Sequence, residues 1–266
     1  MSTGQAPVVF VHGLWLHASS WDPWIEFFQA HGREGTALRW PGEAGSVAET
    51  RAHPEALAGH GIDDVTASLA EAIGTMARPP VLIGHSFGGM IAEKLLGMGV
   101  GAAAVAIDAA QIKGVLPVPL SSLRSTLPVF RNPANRHRSV SLSADEFRYS
   151  FGNALSPEES DALHARWTIP APGKPLFEAA VANFSPHSPA AVDTGNESRG
   201  PLLLVMGGRD HTVPEAITRS TLKQYRGSAA VTDLVEFPDR GHSLTIDGGW
   251  REVADACLGW LDEQGV

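Results

Sequence analysis

Six short apolar runs rich in β-branched residues recur along the chain: PVVFVHG (7–13), TALRW (36–40), PVLIGHS (80–86), AAVAID (103–108), PLLLVMGG (201–208) and VTDLVEFP (231–238). None shows the period-two alternation of a half-solvated strand, so the runs predict strands covered on both faces, as in a parallel sheet. Helical patterns lie between them. In GIDDVTASLAEAIGTM the apolar residues Ile62, Val65, Leu69, Ile73 and Met76 recur three and four apart. Asp63 and Asp64 fall in its first turn, where the helix dipole favours carboxylates. This alternation predicts an α/β fold, a mostly parallel sheet of about six strands flanked by helices.

The alternation stops between 111 and 195, where PVPL, NPAN, IPAPGKP and SPHSP punctuate short helices. One helix is well signalled: Ser156-Pro157-Glu158-Glu159 offers an N-cap, a proline at the first helical position and a capping-box glutamate. The chain therefore divides into a core of residues 1–110 and 196–266 and a mostly helical insertion of 111–195. The insertion carries Phe130, Phe147, Tyr149, Phe151, Trp167, Phe177 and Phe184, more aromatic surface than short helices need. Some of these rings should pack on the sheet or line a pocket beneath, for which Trp15, Phe147, Phe151 and Trp167 are the expected lining.

The stretch VLIGHSFGGM (81–90) drives a buried strand into Gly84-x-Ser86-x-Gly88 and resumes as a helix. A serine on so sharp a turn projects its hydroxyl above the sheet. Side chains two residues to either side would clash, which explains the glycines. The turn also aims the amide of Phe87 and a helix N-terminus at the space beside the hydroxyl, where an oxyanion would form. A serine hydroxyl is a weak nucleophile until a base takes its proton, and the base needs an orienting carboxylate. Asp210 follows the strand in PLLLVMGGRDHTVP, and His242 follows the next strand in VEFPDRGHSL. Asp108, at the end of AAVAID, is a rival for the acid. Asp239 reads as a loop carboxylate, His12 and His85 as structural histidines, and the adjacency of His211 to Asp210 does not place its ring on Ser86.

Serine, acid and histidine in that chain order, with the elbow and the segment His12-Gly13-Leu14, resemble the α/β-hydrolase superfamily of esterases and lipases. The likeness runs from VVFVHGLW to GGWREVADACLGWLDEQ, and the insertion resembles that family's cap domain. It implies Ser86 as nucleophile, His242 as base, Asp210 as orienting acid, and the amides of Leu14 and Phe87 as the oxyanion hole. The antiparallel edge strands usual in the family are expected to be missing. By the same resemblance the protein is a carboxylesterase-like serine hydrolase acting through an acyl-enzyme on Ser86. The apolar surroundings of Leu14, Trp15, Leu16 and Phe87 favour a small to medium hydrophobic ester. Lactone or C–C bond hydrolysis and haloperoxidase-type perhydrolysis use the same machinery and stay open. So does a protein of another class, a ligand sensor that binds at an intact site and signals through the cap.

Composition narrows the field further. The chain is long enough for one core, and 43% hydrophobic with 18% charged residues suits a soluble protein. No apolar run approaches the ~20 residues of a membrane span. The N-terminus lacks a basic-then-apolar leader and the single cysteine, Cys257, has no partner, so a reducing cytoplasm is expected. Helical spacing makes Cys257 a core residue. A net charge of −9 without a strong Lys/Arg cluster argues against nucleic acid or an anionic membrane as partner. RNPANRHR (131–138), the one basic run, reads as a solvated loop. The partner expected is a small hydrophobic carbonyl substrate.

Two motifs are decoys. Gly99-Val100-Gly101-Ala102-Ala103-Ala104 fits a dinucleotide pattern but leaves a helix and enters a strand, the reverse of what pyrophosphate binding requires. Asn196-Glu197-Ser198 is a glycosylation triplet without an export signal. No H-E-x-x-H or C-x-x-C spacing occurs, so neither a metal nor another cofactor is expected.

Overall fold

The computed structural model describes residues 5–266. The strands are β1 (Val8–Val11), β2 (Gly35–Leu38), β3 (Val81–His85), β4 (Ala103–Ile107), β5 (Ser139–Val140), β6 (Ala171–Pro172), β7 (Leu202–Gly207) and β8 (Thr232–Phe237). The α-helices are α1 (Asp22–Ala30), α2 (Val47–Ala52), α3 (Ile62–Gly74), α4 (Phe87–Gly97), α5 (Leu120–Phe130), α6 (Ala144–Ser150), α7 (Pro157–Trp167), α8 (Lys174–Ala180), α9 (Glu215–Gln224) and α10 (Trp250–Glu263). Six strands form one sheet in the order β2-β1-β3-β4-β7-β8, every pair parallel, with Val8 opposite both Gly35 and Val81. The strand order reverses between β1 and β3. A doubly wound sheet opens a crevice there, beyond the carboxyl ends of the strands.

The two faces of the sheet build two cores. Val8, Phe10, Val81, Ile83, Val105 and Val205 point to one side, against the Trp21, Trp24 and Phe28 rings and the inner face of α10. Val9, Val11, Leu82, Ala104 and Leu204 point to the other, against α3 and α4. Central strands are buried throughout, as their apolar runs predict, but β2 and β8 are sheet edges and only partly covered. In β8 the exposed Asp233 and Glu236 give the edge the charge that discourages pairing with another chain. Cys257 lies buried in α10, where burial pushes its thiol up. Among the described residues no helix is long and apolar enough to cross a membrane.

Between β4 and β7 the chain runs through α5 to α8 and a two-strand antiparallel ladder of β5 and β6. Ser156 Oγ accepts from the Glu159 amide at 3.1 Å, the expected cap of α7. Glu159 does not complete a capping box. Its carboxylate instead accepts from the Gly248 amide at 2.8 Å, tying α7 to the loop after β8.

The helix after β3 carries a buried carboxyl. Glu93 on α4 accepts from the Tyr225 hydroxyl at 2.7 Å, and burial, only partly offset by that bond and by the Arg199 charge, pushes it up to about 8. An acid raised in the folded state contributes full stability below its unfolded value near 4.5, and that contribution is lost as pH rises toward 8. Glu93→Gln should therefore hold its stability between about pH 5 and about pH 9 better than the unsubstituted chain, by on the order of 4 kcal/mol. Urea melts across that range test it; parallel pH slopes for the two proteins would contradict it.

Candidate active site

At the end of β3 the chain turns into α4 through Ser86, with φ 55 and ψ −120. The turn is tight enough to exclude side chains around it. A Cβ on Gly84 would lie 2.1 Å from the Gly88 carbonyl oxygen, and one on Gly88 would lie 2.1 Å from that of Val11. The strained residue is fixed by backbone bonds: its amide donates to Ile107 O at 2.9 Å, and its carbonyl accepts from Ala110 at 2.9 Å and Met90 at 3.1 Å.

His242 enters from the loop after β8. Its Nδ1 donates to Asp210 Oδ2 at 2.6 Å, and both side chains are fully buried. The other Asp210 oxygen accepts from the amides of Thr212 at 2.6 Å and Val213 at 2.9 Å, so the carboxylate is fixed from two sides. Asp108 Oδ2 lies farther from the same nitrogen, at 4.0 Å. His85 Nε2 donates to the His242 carbonyl at 2.9 Å, and its ring packs 4.6 Å from the His242 ring. Burial, and then the neighbouring His242, hold His85 well below the ordinary histidine range, which leaves it a neutral scaffold. The loop itself is anchored by Trp24 Nε1 donating to Thr245 O at 2.8 Å, and by Arg240 and Ser243 gripping Asp247. His242 Nε2 is buried and makes no hydrogen bond, to Ser86 or to any other group.

Gly13 comes against the turn from β1, close enough that a Cβ there would be 2.7 Å from Ser86 Cβ and 3.4 Å from the Phe87 nitrogen. Leu14 follows directly, and Phe87 opens α4, whose first amides have no acceptor within the helix. This loop stands on a second buried network. Glu43 contacts His12 Nε2 at 2.6 Å and His17 Nε2 at 3.3 Å, and accepts from the amides of Ala18 at 2.7 Å and Trp40 at 3.2 Å. Burial disfavours charge on both partners, yet their mutual attraction and hydrogen bonds win. The His12 pKa is raised and that of Glu43 lowered. His12 is structural, as its sequence context predicts. Glu43 and His17 were not foreseen, because WPGEAGS carries no signal beyond a turn.

A cavity of about 230 Å³ reaches Ser86 and Phe87. Its apolar wall includes Phe130 and Leu176 above and Val213 and Ile217 below, with Gln111, Ser122, Thr126 and Thr212 as polar groups and no charged side chain. Val118 and Leu123, 60% and 48% exposed, stand at its rim. The four aromatic residues expected to line a pocket do not touch this cavity. Phe151 packs 4.9 Å from the His242 ring and stacks on Phe147, Trp15 meets the edge of Phe151, and Trp15 Nε1 is taken by Val140 O at 2.9 Å. Trp167 is also buried, its carbonyl paired with the His17 amide. Phe151 thus packs on the His242 ring with Phe147 and Trp15 against it, so these residues are packing around the site where a lining was expected.

The remaining rivals are placed elsewhere. Asp239 is exposed and pairs with Arg209, and the His211 ring nitrogen faces Tyr149 O at 3.2 Å. His85, Asp108 and His242 bring donor atoms within 4.8 Å of one another. Each is held by a hydrogen bond through one of its polar atoms, His85 Nε2 to His242 O, Asp108 Oδ1 from the Gly207 amide and His242 Nδ1 to Asp210.

The family model described as "Alpha/beta hydrolase family" matches residues 8–256. Among solved structures, a Paleococcus ferrophilus monoacylglycerol lipase is 19% identical, covering 97% of this chain and 96% of its own, with TM-score 0.66. A pyrethroid hydrolase from Sphingobium faniae is 15% identical, covering 97% of each chain, with TM-score 0.67. A methylesterase from Arabidopsis is 17% identical, covering 97% of this chain and 99% of its own, also at 0.67. Comparison with curated proteins returns no match.

The Glu43 network sets a testable stability. Its carboxylate contribution is present above the unfolded glutamate value and lost as pH falls through the lowered folded value. The His12 contribution is present below the unfolded histidine value and lost as pH rises through the raised one. Between these limits Glu43→Ala, which strands two buried histidines, should destabilise the fold by about 3 to 5 kcal/mol in denaturant melts. A loss under about 1 kcal/mol, the level of a surface ion pair, would show that the network carries little.

Proposed function

Because the chain belongs to the α/β hydrolase family, we propose that it is a serine hydrolase that cleaves a carboxylic ester of a small to medium hydrophobic substrate through an acyl-enzyme on Ser86. The observation that carries this reading is the pairing of a buried His242–Asp210 hydrogen bond with a strained serine at the floor of an uncharged apolar cavity. In it, His242 Nε2 takes the Ser86 proton as Oγ attacks the ester carbonyl. Asp210 holds the ring so that this nitrogen faces the serine, and stabilises the imidazolium that forms. The amides of Leu14 and Phe87 receive the oxyanion, helped by the N-terminus of α4. His242 then protonates the leaving alcohol, and water, activated by the same ring, releases the acid.

The substrate class follows from the cavity. Its wall offers no charge to meet a charged acyl group, and desolvating one there would be unfavourable. Its volume lies below the range usual for drug-sized ligands, about 300 Å³ and upward, which favours short to medium chains. The lipase, methylesterase and pyrethroid hydrolase names among similar folds are in keeping with ester chemistry.

Purified protein should turn over p-nitrophenyl esters repeatedly, with short and medium acyl chains favoured over long ones. Ser86→Ala and His242→Ala should fold and lose roughly 10⁴ to 10⁶ in turnover, because the groups act as a unit. Substantial hydrolysis by folded Ser86→Ala would remove the serine from the mechanism.

A further inference from the structure

Asp108 is a carboxyl that the mechanism above does not use, yet it is built into the same place. It is fully buried, and its φ of 41 makes it, with Trp15 and Ser86, one of three non-glycine residues at positive φ among the described residues. Its amide donates to Val205 O at 2.8 Å, and Oδ1 accepts from the Gly207 amide at 2.7 Å. Oδ2 is buried and no donor reaches it. An ionised oxygen in that position would be an uncompensated buried charge, which proteins avoid. The groups facing it say what it does instead. His85 stands at the end of β3, Asp210 after β7, and Arg240 and His242 in the loop after β8. Arg240 is committed to Asp247 and Glu252. Asp108 Oδ2 lies 4.0 Å from His242 Nδ1, the same nitrogen that Asp210 Oδ2 meets at 2.6 Å, so the two carboxyls converge on one ring edge.

We propose that Asp108 is a positioning residue of the site: its Oδ2 carries a proton that it donates to Asp210, so that the two carboxyls together hold one negative charge beneath His242. Burial first, and then the Asp210 charge, push the Asp108 carboxyl well above the usual carboxylate range, in line with this arrangement. Asp108 thereby fixes the oxygen of Asp210 that faces His242 without adding a second anion. The strained backbone at 108 is what turns a side chain from the end of β4 into that position. The inference rests on the roles assigned to His242 and Asp210, but its first test is independent of any activity.

The difference infrared spectrum of unsubstituted protein minus Asp108→Asn at neutral pH should contain the carbonyl stretch of a protonated carboxylic acid. Glu93 contributes such a band to both proteins and cancels. Should Asp108→Asn fail to fold, aspartate labelled with ¹³C at its side-chain carboxyl, in the unsubstituted chain, should move part of the band. Absence of an aspartate contribution overturns the proposal. In the second test, asparagine keeps both the acceptor and a donor, so Asp108→Asn should leave the acid limb of kcat/KM for a p-nitrophenyl ester in place. Loss of a true anion beside His242 would lower that limb by about one pH unit or more, and would overturn the proposal. Asp108→Ala, with the donor gone, should be roughly tenfold to 100-fold slower, the cost of loosening a positioned group. Alanine and asparagine variants with equal rates would also contradict it. A protein that turns over no ester removes the proposed function, while the infrared band still decides the state of Asp108.

Discussion

Ser86 keeps its φ of 55 only because the chain around it gives up side chains: Gly84 and Gly88 approach backbone carbonyls, and Gly13 approaches Ser86 itself. Such a conformation costs on the order of 1 to 3 kcal/mol and persists where the surroundings over-determine it. Here the surroundings are the carboxyl ends of three adjacent parallel strands. Their buried apolar register sets where β3 ends, and the hydrogen bonds from Ser86 to Ile107, Ala110 and Met90 leave the turn no alternative. Trp15 and Asp108, the other two strained residues, lie in the segments that follow β1 and β4. The strain is thus gathered at one edge of the sheet, at the crevice the topology opens.

Two buried networks flank that turn and solve the same electrostatic problem. On one side Asp210 and, farther off, Asp108 face His242; on the other Glu43 faces His12 and His17. A lone charge at either place would be heavily penalised by burial, so each acid is surrounded by donors from backbone amides as well as from histidine. The two networks hold different things. The first orients a ring above the sheet, while the second holds the loop that carries Gly13 and Leu14 against the elbow. Phe151 packs on the His242 ring and is itself backed by Phe147 and Trp15.

Much of this was legible in the sequence because the relevant signals are local. An apolar run ending in Gly-x-Ser-x-Gly requires a specific turn, and residues placed just after later strands must emerge at the same sheet edge. Asp210 and His242 were readable on that ground. What escaped depends on contacts between distant segments. The partial exposure of β2 and β8 follows from sheet order, which apolar runs do not encode. Glu159 abandons its own helix start for Gly248, a choice only the folded chain presents. Aromatic content pointed to a pocket, but whether a ring lines a cavity or packs on a histidine depends on helix placement. Phe130 went to the cavity wall and Phe151 to the His242 ring.

Whether Ser86 is a nucleophile activated by His242 is tested by fluorophosphonate labelling, without knowledge of the natural substrate. The adduct, mapped by peptide mass spectrometry, should sit on Ser86 in the unsubstituted protein and be lost in folded His242→Ala. Failure of the folded protein to label, or an adduct on any other residue, would contradict the account.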